Sequence, residues 1–468
     1  MAEIGIYTTI TITMLSVAYP ILLQVIARLD EKYASDHIVE LFDEEREKKY
    51  FVIFLIFSII SVVIWSFKIE PIVQIEGINF LINNSASLLV ITNTIILVVF
   101  FFLFLNKILI YYTPSKFIKY LIQEHNNDTS ELKHFTALTD IFLLSIQKQN
   151  QSITHKISKF FYKSFEKERE KSINRPVEYP EAYYILVHKS VEELAILKNK
   201  RDYSLEYRTA GGFWLLGESK LYQISELTYS WLWQNILLAI EYEQDDLILH
   251  HWQTANQYFE YYLKNIQPEC DFHERECKIK NSKIIEERNI ERRRFLEFHF
   301  ALGALLFYKN RVNCIRRIFN FTSSLPPKYE LLPESMNEVF KLYYDFSDPY
   351  EMRHSWISKK YPFPQQSGLN SDAVIKKWIS FYLAILFLRQ YTIDPYLMDI
   401  NPLEYPTIRK EKNRLIHGLD SFRRLVSDAL NDRELMKNLE LDFITEEWCL
   451  KNGKVYPVDF IDKLQQKL

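Results

Sequence analysis

The chain has 468 residues, with 57 Lys and Arg against 60 Asp and Glu, and a formal net charge of -3. This near balance argues against a general nucleic-acid binder, which carries a clear basic excess. Only 9 residues are Gly, although β-hairpins and phosphate-binding loops both need glycine, so the composition argues against a β-rich fold.

Three long apolar runs precede residue 113, at 4–26, 51–67 and 88–110. A bilayer core needs about 20 apolar residues in a helix, and all three runs approach this length. The first run is too rich in Thr for a signal-peptide core and lacks a basic region before it. Three such helices are hard to bury in a water-soluble domain. The pattern therefore predicts that 1–112 is a three-helix transmembrane region.

Basic residues predict the orientation of these spans. Five Lys and Arg residues lie in the segment 27–50, against only Lys68 in the next connection. The positive-inside rule then places the N-terminus outside, 27–50 inside and 113–468 in the cytoplasm of a multi-pass inner-membrane protein. Lys107 lies near the end of the third run, and we expect it to snorkel to the interface. The spans hold no acidic residue, Arg or His, which argues against proton relays and voltage sensors.

Small polar residues recur along the first two spans at steps of three or four residues. Such spacing lets helices approach closely and form hydrogen bonds. The stripe consists of Thr9, Thr13, Ser16 and Gln24 in the first run, and Ser58 and Ser61 in the second. Two interpretations remain open: helix packing, or a water-lined conduit built from several copies. The predicted partners are the lipid bilayer and further copies of the chain.

The region 113–468 has amphipathic patterns and few strand patterns, which predicts an all-α domain of helix pairs, either solenoid-like or irregular. A subdivision near Pro268 is compatible with the pattern. The predicted helices cover roughly 130–170, 181–199, 219–242, 244–266, 284–310, 334–345, 371–392 and 408–430.

Metal and cofactor motifs do not emerge from the sequence. Cys270, His273, Cys277 and Cys314 lack the paired spacing of zinc ligands. The glycine-rich phosphate-binding and dinucleotide-binding patterns are absent, and so is the G-x-S-x-G nucleophile motif. We therefore predict no metal and no cofactor.

One short segment carries catalytic residue types. Residues 412–418 read K-N-R-L-I-H-G. This segment resembles the R-N-x-x-x-H motif of the HEPN family of all-α ribonucleases, over seven residues. The resemblance implies that His417 would act as general acid–base on an RNA 2′-hydroxyl, with Lys412 and Asn413 beside it at a dimer interface. Lys412 stands where the family has Arg, and Lys cannot make a bidentate phosphate contact.

Two functional hypotheses follow. In the first, the protein is a non-enzymatic bacterial membrane effector or channel-like protein, whose helical domain receives a small-molecule or protein signal and couples it to the spans. Bacterial stress and phage-defence systems use this layout. In the second, the spans only anchor a HEPN-like ribonuclease or a protein-docking scaffold. A conduit needs the polar face of the first span, whereas an anchor does not.

Overall fold

The computed structural model describes residues 2–67, 84–127, 132–172, 175–197, 213–217, 222–265, 275–323, 339, 342–343, 353–364, 371–393 and 409–467. These residues form α-helices and no β-strand, with one isolated bridge between Val177 and Ile224. The predicted all-α class is confirmed. The chain divides into two compact units, Met1–Phe161 and Tyr162–Leu468.

The first unit contains seven described helices, the last of which crosses the unit boundary. Short breaks separate them. Ser35 caps α2 by accepting a hydrogen bond from the Ile38 amide, and Pro114 begins α5, where its missing amide proton costs nothing. The helices are α1 (Ala2–Tyr33), α2 (Asp36–Glu44), α3 (Arg46–Ser66), α4 (Ser85–Tyr112), α5 (Pro114–Asn127), α6 (Lys133–Gln147) and α7 (Gln151–Glu170).

Helices α1, α3 and α4 are long and apolar enough to cross a membrane. Helix α4 packs against both α1 and α3. Large apolar side chains remain exposed on the outer faces, including Ile12, Phe57 and Phe102, each more than half exposed. A water-soluble protein rarely leaves such surface uncovered, so these helices are compatible with a membrane protein. The three predicted spans coincide with these helices, and α1 and α3 extend further into 27–50.

Aromatic pairs hold α3 against α4. The rings of Phe51 and Phe104 stack with centroids 5.2 Å apart, and those of Phe54 and Phe100 stack at 5.0 Å. Phe51 and Phe104 are both buried. Packing of this kind is the main force between helices in lipid, where the hydrophobic effect does not drive association.

The second unit is built around α12 and α15, which make the most extensive helix–helix contact in it. Its described helices are α8 (Glu181–Ile196), α9 (Phe213–Leu216), α10 (Glu226–Glu241), α11 (Asp245–Asn265), α12 (Arg275–Tyr308), α13 (Val312–Ser323), α14 (Arg353–Lys360), α15 (Ser371–Ile393), α16 (Arg409–Asn431), α17 (Arg433–Asn438), α18 (Glu446–Lys451) and α19 (Pro457–Lys467). Buried aromatic residues fill its core, such as Trp233, whose ring lies 5.1 Å from that of Tyr361.

Several helices end in a left-handed residue that is not glycine. Gln149, Glu243, Asn310 and Glu440 have φ between 54° and 60°. Each end carries the two backbone hydrogen bonds of a Schellman motif; after α6, for example, the amide of Asn150 donates to the Ser145 carbonyl. In this glycine-poor chain, residues with side chains therefore occupy left-handed positions that glycine usually takes.

One of these endings explains a difference from the predicted helices. The range predicted as one helix, 130–170, is two helices, since Gln149 turns the chain between α6 and α7. Segment 27–50, predicted as a loop, contains α2. The short helices α9, α13, α14, α17, α18 and α19 were not predicted. Most of 334–345 and the predicted subdivision near Pro268 lie outside the described residues.

Candidate functional site

A buried group of charged and hydroxyl side chains joins the ends of the apolar helices. Lys107 Nζ lies 3.0 Å from Glu45 Oε2 and 3.4 Å from Glu47 Oε1. Glu45 Oε1 accepts hydrogen bonds from the hydroxyls of Tyr111 and Tyr120, both at 2.7 Å. Only 8 % of Lys107 and 9 % of Glu45 are exposed. We call these five residues the Lys107 cluster.

Three helices supply the Lys107 cluster. Glu45 directly precedes α3 and Glu47 lies in its first turn, where the helix dipole favours a carboxylate. Lys107 and Tyr111 lie one turn apart near the end of α4, and Tyr120 comes from α5. The sequence predicts that Lys107 snorkels outward, but in the structure its ammonium faces Glu45 and Glu47. It is buried and paired, because Glu45 reaches it from the neighbouring helix.

Lys107 and Glu45 each have several partners in the Lys107 cluster. The Lys107 ammonium also lies 4.2 Å from the centre of the Tyr120 ring. Burial, together with the hydrogen bond to Glu45 and its charge, raises the pKa of the Tyr120 hydroxyl, so that it remains a donor. Buried charges need this combination of an opposite charge and additional hydrogen bonds. The arrangement fixes the end of α4 to the start of α3 and to α5.

Helix α1 is attached at the same end. The Tyr33 hydroxyl donates to the Tyr111 carbonyl at 2.8 Å, and Lys32 Nζ donates to the Tyr112 carbonyl at 2.5 Å. The ring of Phe117 on α5 lies 5.4 Å from Tyr33 and 4.4 Å from Tyr111. All three apolar helices and α5 therefore meet around the Lys107 cluster.

A second, more exposed contact links α2 to α6. Asp140 Oδ2 accepts from the Ser35 hydroxyl at 2.5 Å and lies 2.9 Å from His37 Nδ1. The carboxylate stands between the hydroxyl and the imidazole, so the imidazole is not placed to take a proton from the hydroxyl. A nucleophile triad requires the imidazole in the middle. This group therefore does not activate Ser35 as a nucleophile.

The structure separates the predicted polar stripe into two groups. Thr9, Thr13, Ser16 and Gln24 are exposed on α1. The Thr9 and Ser16 hydroxyls donate to carbonyls of their own helix. The threonine that faces α4 is instead Thr11, which is 2 % exposed and lies 3.3 Å from the Thr94 hydroxyl. The stripe on α1 thus faces away from α4.

The other group lies inside the bundle. Ser58 and Ser61 on α3 are each 1 % exposed. Ser61 Oγ donates to the Ser58 carbonyl at 2.9 Å. Their small side chains allow close approach of neighbouring backbones. These two serines are thus buried within one copy, whereas the stripe on α1 is exposed.

The HEPN-like segment lies on α16. Asn413 and His417 are exposed one turn apart, while Leu415 and Leu419 are buried. Lys412 belongs to the same helix, but its side chain lies outside the described residues. The structure therefore brings Asn413 and His417 onto one solvent-facing side.

The cysteines do not assemble a metal site in the described part of the chain. Cys314 and Cys449 are buried free thiols. Cys270, His273 and the side chain of Cys277 lie outside the described residues. No group of three potential metal ligands occurs among the described residues.

The second unit has a groove with a volume of about 640 Å³. Its polar lining comes from His188 on α8, from Gln234 and Glu241 on α10 and Glu243 just after it, and from Lys309 and Arg311 after α12. Its apolar lining is Leu237, Leu238, Ile240 and Pro364. We call it the His188 groove. Pockets of this size suit small molecules.

Sequence reasoning missed both the Lys107 cluster and the His188 groove. A lysine inside an apolar run was a signal, because buried lysines need partners, but nothing local indicated Glu45 as that partner. No family model, curated protein or solved structure matches this chain. Its function is therefore argued from its own residues.

Proposed function

We propose that this chain is a bacterial inner-membrane protein whose C-terminal helical region, placed in the cytoplasm, receives a ligand or partner and changes the state of the membrane helices. In this proposal the protein is an effector or channel-like protein, of the kind used in stress or phage defence, and is not an enzyme. The three apolar helices support the membrane assignment, and the Lys and Arg bias of 27–50 supports the orientation.

The observation that carries the coupling is the bond from Tyr120 to Glu45. Helix α5 is the first helix after the third apolar helix, and its Tyr120 shares the Glu45 carboxylate with Tyr111 and Lys107. A displacement of α5 would remove a hydrogen bond from Glu45 and alter the partner of Lys107. The ends of α3 and α4 would then shift relative to each other, which is how a small change at one place biases a bistable bundle.

Exposure of the stripe on α1 supports assembly from several copies. Thr13 and Gln24 are polar and exposed on a helix that would lie in hydrocarbon, where no water satisfies them. A second copy, or a water-lined conduit formed by several copies, would provide partners. A simple anchor has no need of these residues.

Leak assays on cells that overexpress the protein test the conduit. Thr9→Val with Thr13→Val should leave insertion and oligomer size intact and abolish leak, because wetting of a conduit depends on its polar lining. Two controls lie off the stripe. One is Ile10→Val with Met14→Val, and the other is Thr11→Val, which removes a hydroxyl that bonds to the Tyr7 carbonyl and to Thr94 inside the bundle. If cells with the stripe variant leak as much as cells with wild type, the stripe serves helix packing and the conduit hypothesis is wrong.

The coupling has its own test. Tyr120→Phe removes one hydroxyl from Glu45 and should raise leak in the absence of a trigger, at normal membrane levels. Tyr50→Phe on α3, an exposed tyrosine, is the matched control. Equal leak from wild type and Tyr120→Phe would contradict coupling through α5.

Reporter fusions test the topology. A fusion after Leu468 should give a cytoplasmic signal and a fusion within 68–85 an external one. An external signal from the C-terminus would overturn the topology.

A second candidate is a membrane-anchored HEPN-like ribonuclease, or a docking scaffold that uses the same helix. It is favoured by one observation, the shared exposed side of Asn413 and His417 on α16. In that case the purified protein should cleave RNA, and His417→Ala should abolish cleavage while exposed Ser421→Ala does not. If the wild-type protein does not cleave RNA, the ribonuclease hypothesis is wrong.

A further inference from the structure

The His188 groove lies where two helices end. Helix α10 ends at Glu241 and turns at Glu243, with φ of 58°, and α12 ends at Tyr308 and turns at Asn310, with φ of 55°. These turns place Glu241 and Lys309 in the lining of one groove. The two endings thus bring one acidic and one basic side chain to a shared cavity.

The charges in the groove are not equally available. Arg311 is already engaged, with Glu243 at 2.6 Å and Asp245 at 3.8 Å. Lys309 and Glu241 make no ion pair with any described residue, and the Lys309 ammonium lies 5.5 Å from the centre of the Tyr308 ring. The groove therefore offers one free positive and one free negative side chain.

The lining also contains an imidazole and an amide. His188 Nδ1 lies 2.8 Å from Asn235 Oδ1, and an amide oxygen only accepts, so Nδ1 donates this hydrogen bond. Gln234 adds an amide that both donates and accepts. The apolar part, including Leu237 and Leu238, can cover a short carbon skeleton.

We propose that the His188 groove binds a small zwitterionic molecule of the amino-acid type, with its anionic group at Lys309 and its cationic group at Glu241. A volume of about 640 Å³ accommodates such a molecule with its hydration. The inference deepens the proposed function, on which it rests for its role: this molecule would be the signal that the helical region receives.

Calorimetric titration of the full chain in detergent tests the proposal, with the free α-amino acids as probes. Each is compared with its N-acetyl form, which keeps only the negative charge, and its amide, which keeps only the positive charge. At least one amino acid should bind, and both singly charged forms should bind at least about fivefold more weakly, because each loses a charge-assisted hydrogen bond. Absence of binding by every amino acid, or equal binding of a singly charged form, overturns the zwitterion site.

Variants assign the binding to the groove. Lys309→Gln and Glu241→Gln should each weaken binding by about fivefold or more. Lys283→Gln and Glu286→Gln, on exposed positions of α12, are controls that should change nothing. If binding survives both groove variants unchanged, it occurs elsewhere and the proposal is wrong. The leak assay, repeated with the amino acid present, separates this proposal from the proposed function. If the amino acid binds but does not change the leak, its role as the signal is wrong. If the protein leaks but binds no amino acid, the binding site in the His188 groove is wrong.

Discussion

Lys107 Nζ and Glu45 Oε2 form a buried ion pair, 3.0 Å apart, between the end of α4 and the start of α3. Glu45 is completed by two tyrosine hydroxyls, and Lys107 by Glu47 and an aromatic ring. Buried pairs with this degree of satisfaction are costly to break on one side, because the remaining charge keeps its desolvation penalty. The stability of single and double variants of Lys107 and Glu45 should therefore differ strongly.

Lys107→Met and Glu45→Gln should each destabilise the folded protein by about 3–5 kcal/mol, since each leaves a buried charge without its main partner. The double variant should lie within about 2 kcal/mol of wild type, because the carboxylate that remains, Glu47, is partly exposed and can be solvated. Thermal unfolding in detergent measures the midpoints, and the double-mutant cycle gives the coupling.

The control is an exposed pair on the same unit. Lys133 Nζ lies 2.9 Å from Glu44 Oε2, with side chains 41 % and 56 % exposed. Lys133→Met should cost less than about 1 kcal/mol, as is usual for surface pairs. If the Lys107 and Glu45 effects simply add in the double variant, the two residues do not stabilise each other.

The fold could be predicted where its signals are local. Run length and hydropathy identified the three apolar helices, because a span is one continuous segment. The partner of Lys107 could not be predicted, since Glu45 belongs to another helix and appears in the sequence as one of several acids in 27–50. The division of 130–170 was equally hidden, because Gln149 occupies a position that glycine normally marks.

The polar stripe illustrates a different limit. The period of Thr9, Thr13 and Ser16 indicates correctly that they share one side of a helix. Which side faces the bundle depends on α4, and the structure places Thr11 there instead. Periodicity gives the relation among residues of one helix, while the neighbours that decide burial lie elsewhere in the chain.

Gly303 permits close contact between α12 and α15. A Cβ atom at this position would lie 2.5 Å from Cε2 and Cζ of the Tyr382 ring. Gly303→Ala should therefore destabilise the protein by about 1–3 kcal/mol through overpacking, despite the better helix propensity of alanine. The thermal midpoint checks this. Gly5→Ala on α1 is the matched control, with no atom within 4 Å, and should cause no loss.

A rescue distinguishes overpacking from other causes. Tyr382→Leu removes the ring that the added methyl group would meet, so Gly303→Ala combined with Tyr382→Leu should be less destabilised than the sum of the two single variants. Strict additivity of the two changes would show that the ring is not the obstacle.

His299 should make stability depend on pH. Trp252 Nε1 donates to His299 Nδ1 at 3.0 Å, so the neutral ring carries its proton on Nε2 and donates to the Tyr382 hydroxyl at 2.7 Å. Burial lowers the pKa of His299 to about 3. Below about pH 6.5 the unfolded chain binds a proton that the folded chain does not, so stability falls as the pH drops from 6.5 toward 3.

A comparison of variants isolates this contribution, because other groups titrate in the same window. Burial lowers the pKa of His251 to about 4, with the same sign of effect, while burial raises the pKa of Glu291 and Glu297, with the opposite sign. The free energy of unfolding of His299→Gln is compared with that of wild type at each pH. As the pH falls below 6.5, the variant should gain about 1.4 kcal/mol per pH unit relative to wild type. Parallel pH profiles of the two proteins would contradict the assignment.

Replacement of a left-handed residue with glycine should stabilise the protein. Gln149 has φ of 54° and is exposed at the end of α6. A side chain in this conformation costs roughly 1 kcal/mol, which glycine does not incur. Gln149→Gly should therefore raise the free energy of unfolding by about 0.5–1 kcal/mol, and the thermal midpoint should rise. Lys148→Gly, one residue earlier with φ of -81°, is the control and should lower it, because glycine there gains no conformational relief and adds only backbone entropy to the unfolded chain. A drop in the midpoint for both variants would mean that the left-handed conformation at Gln149 carries no strain.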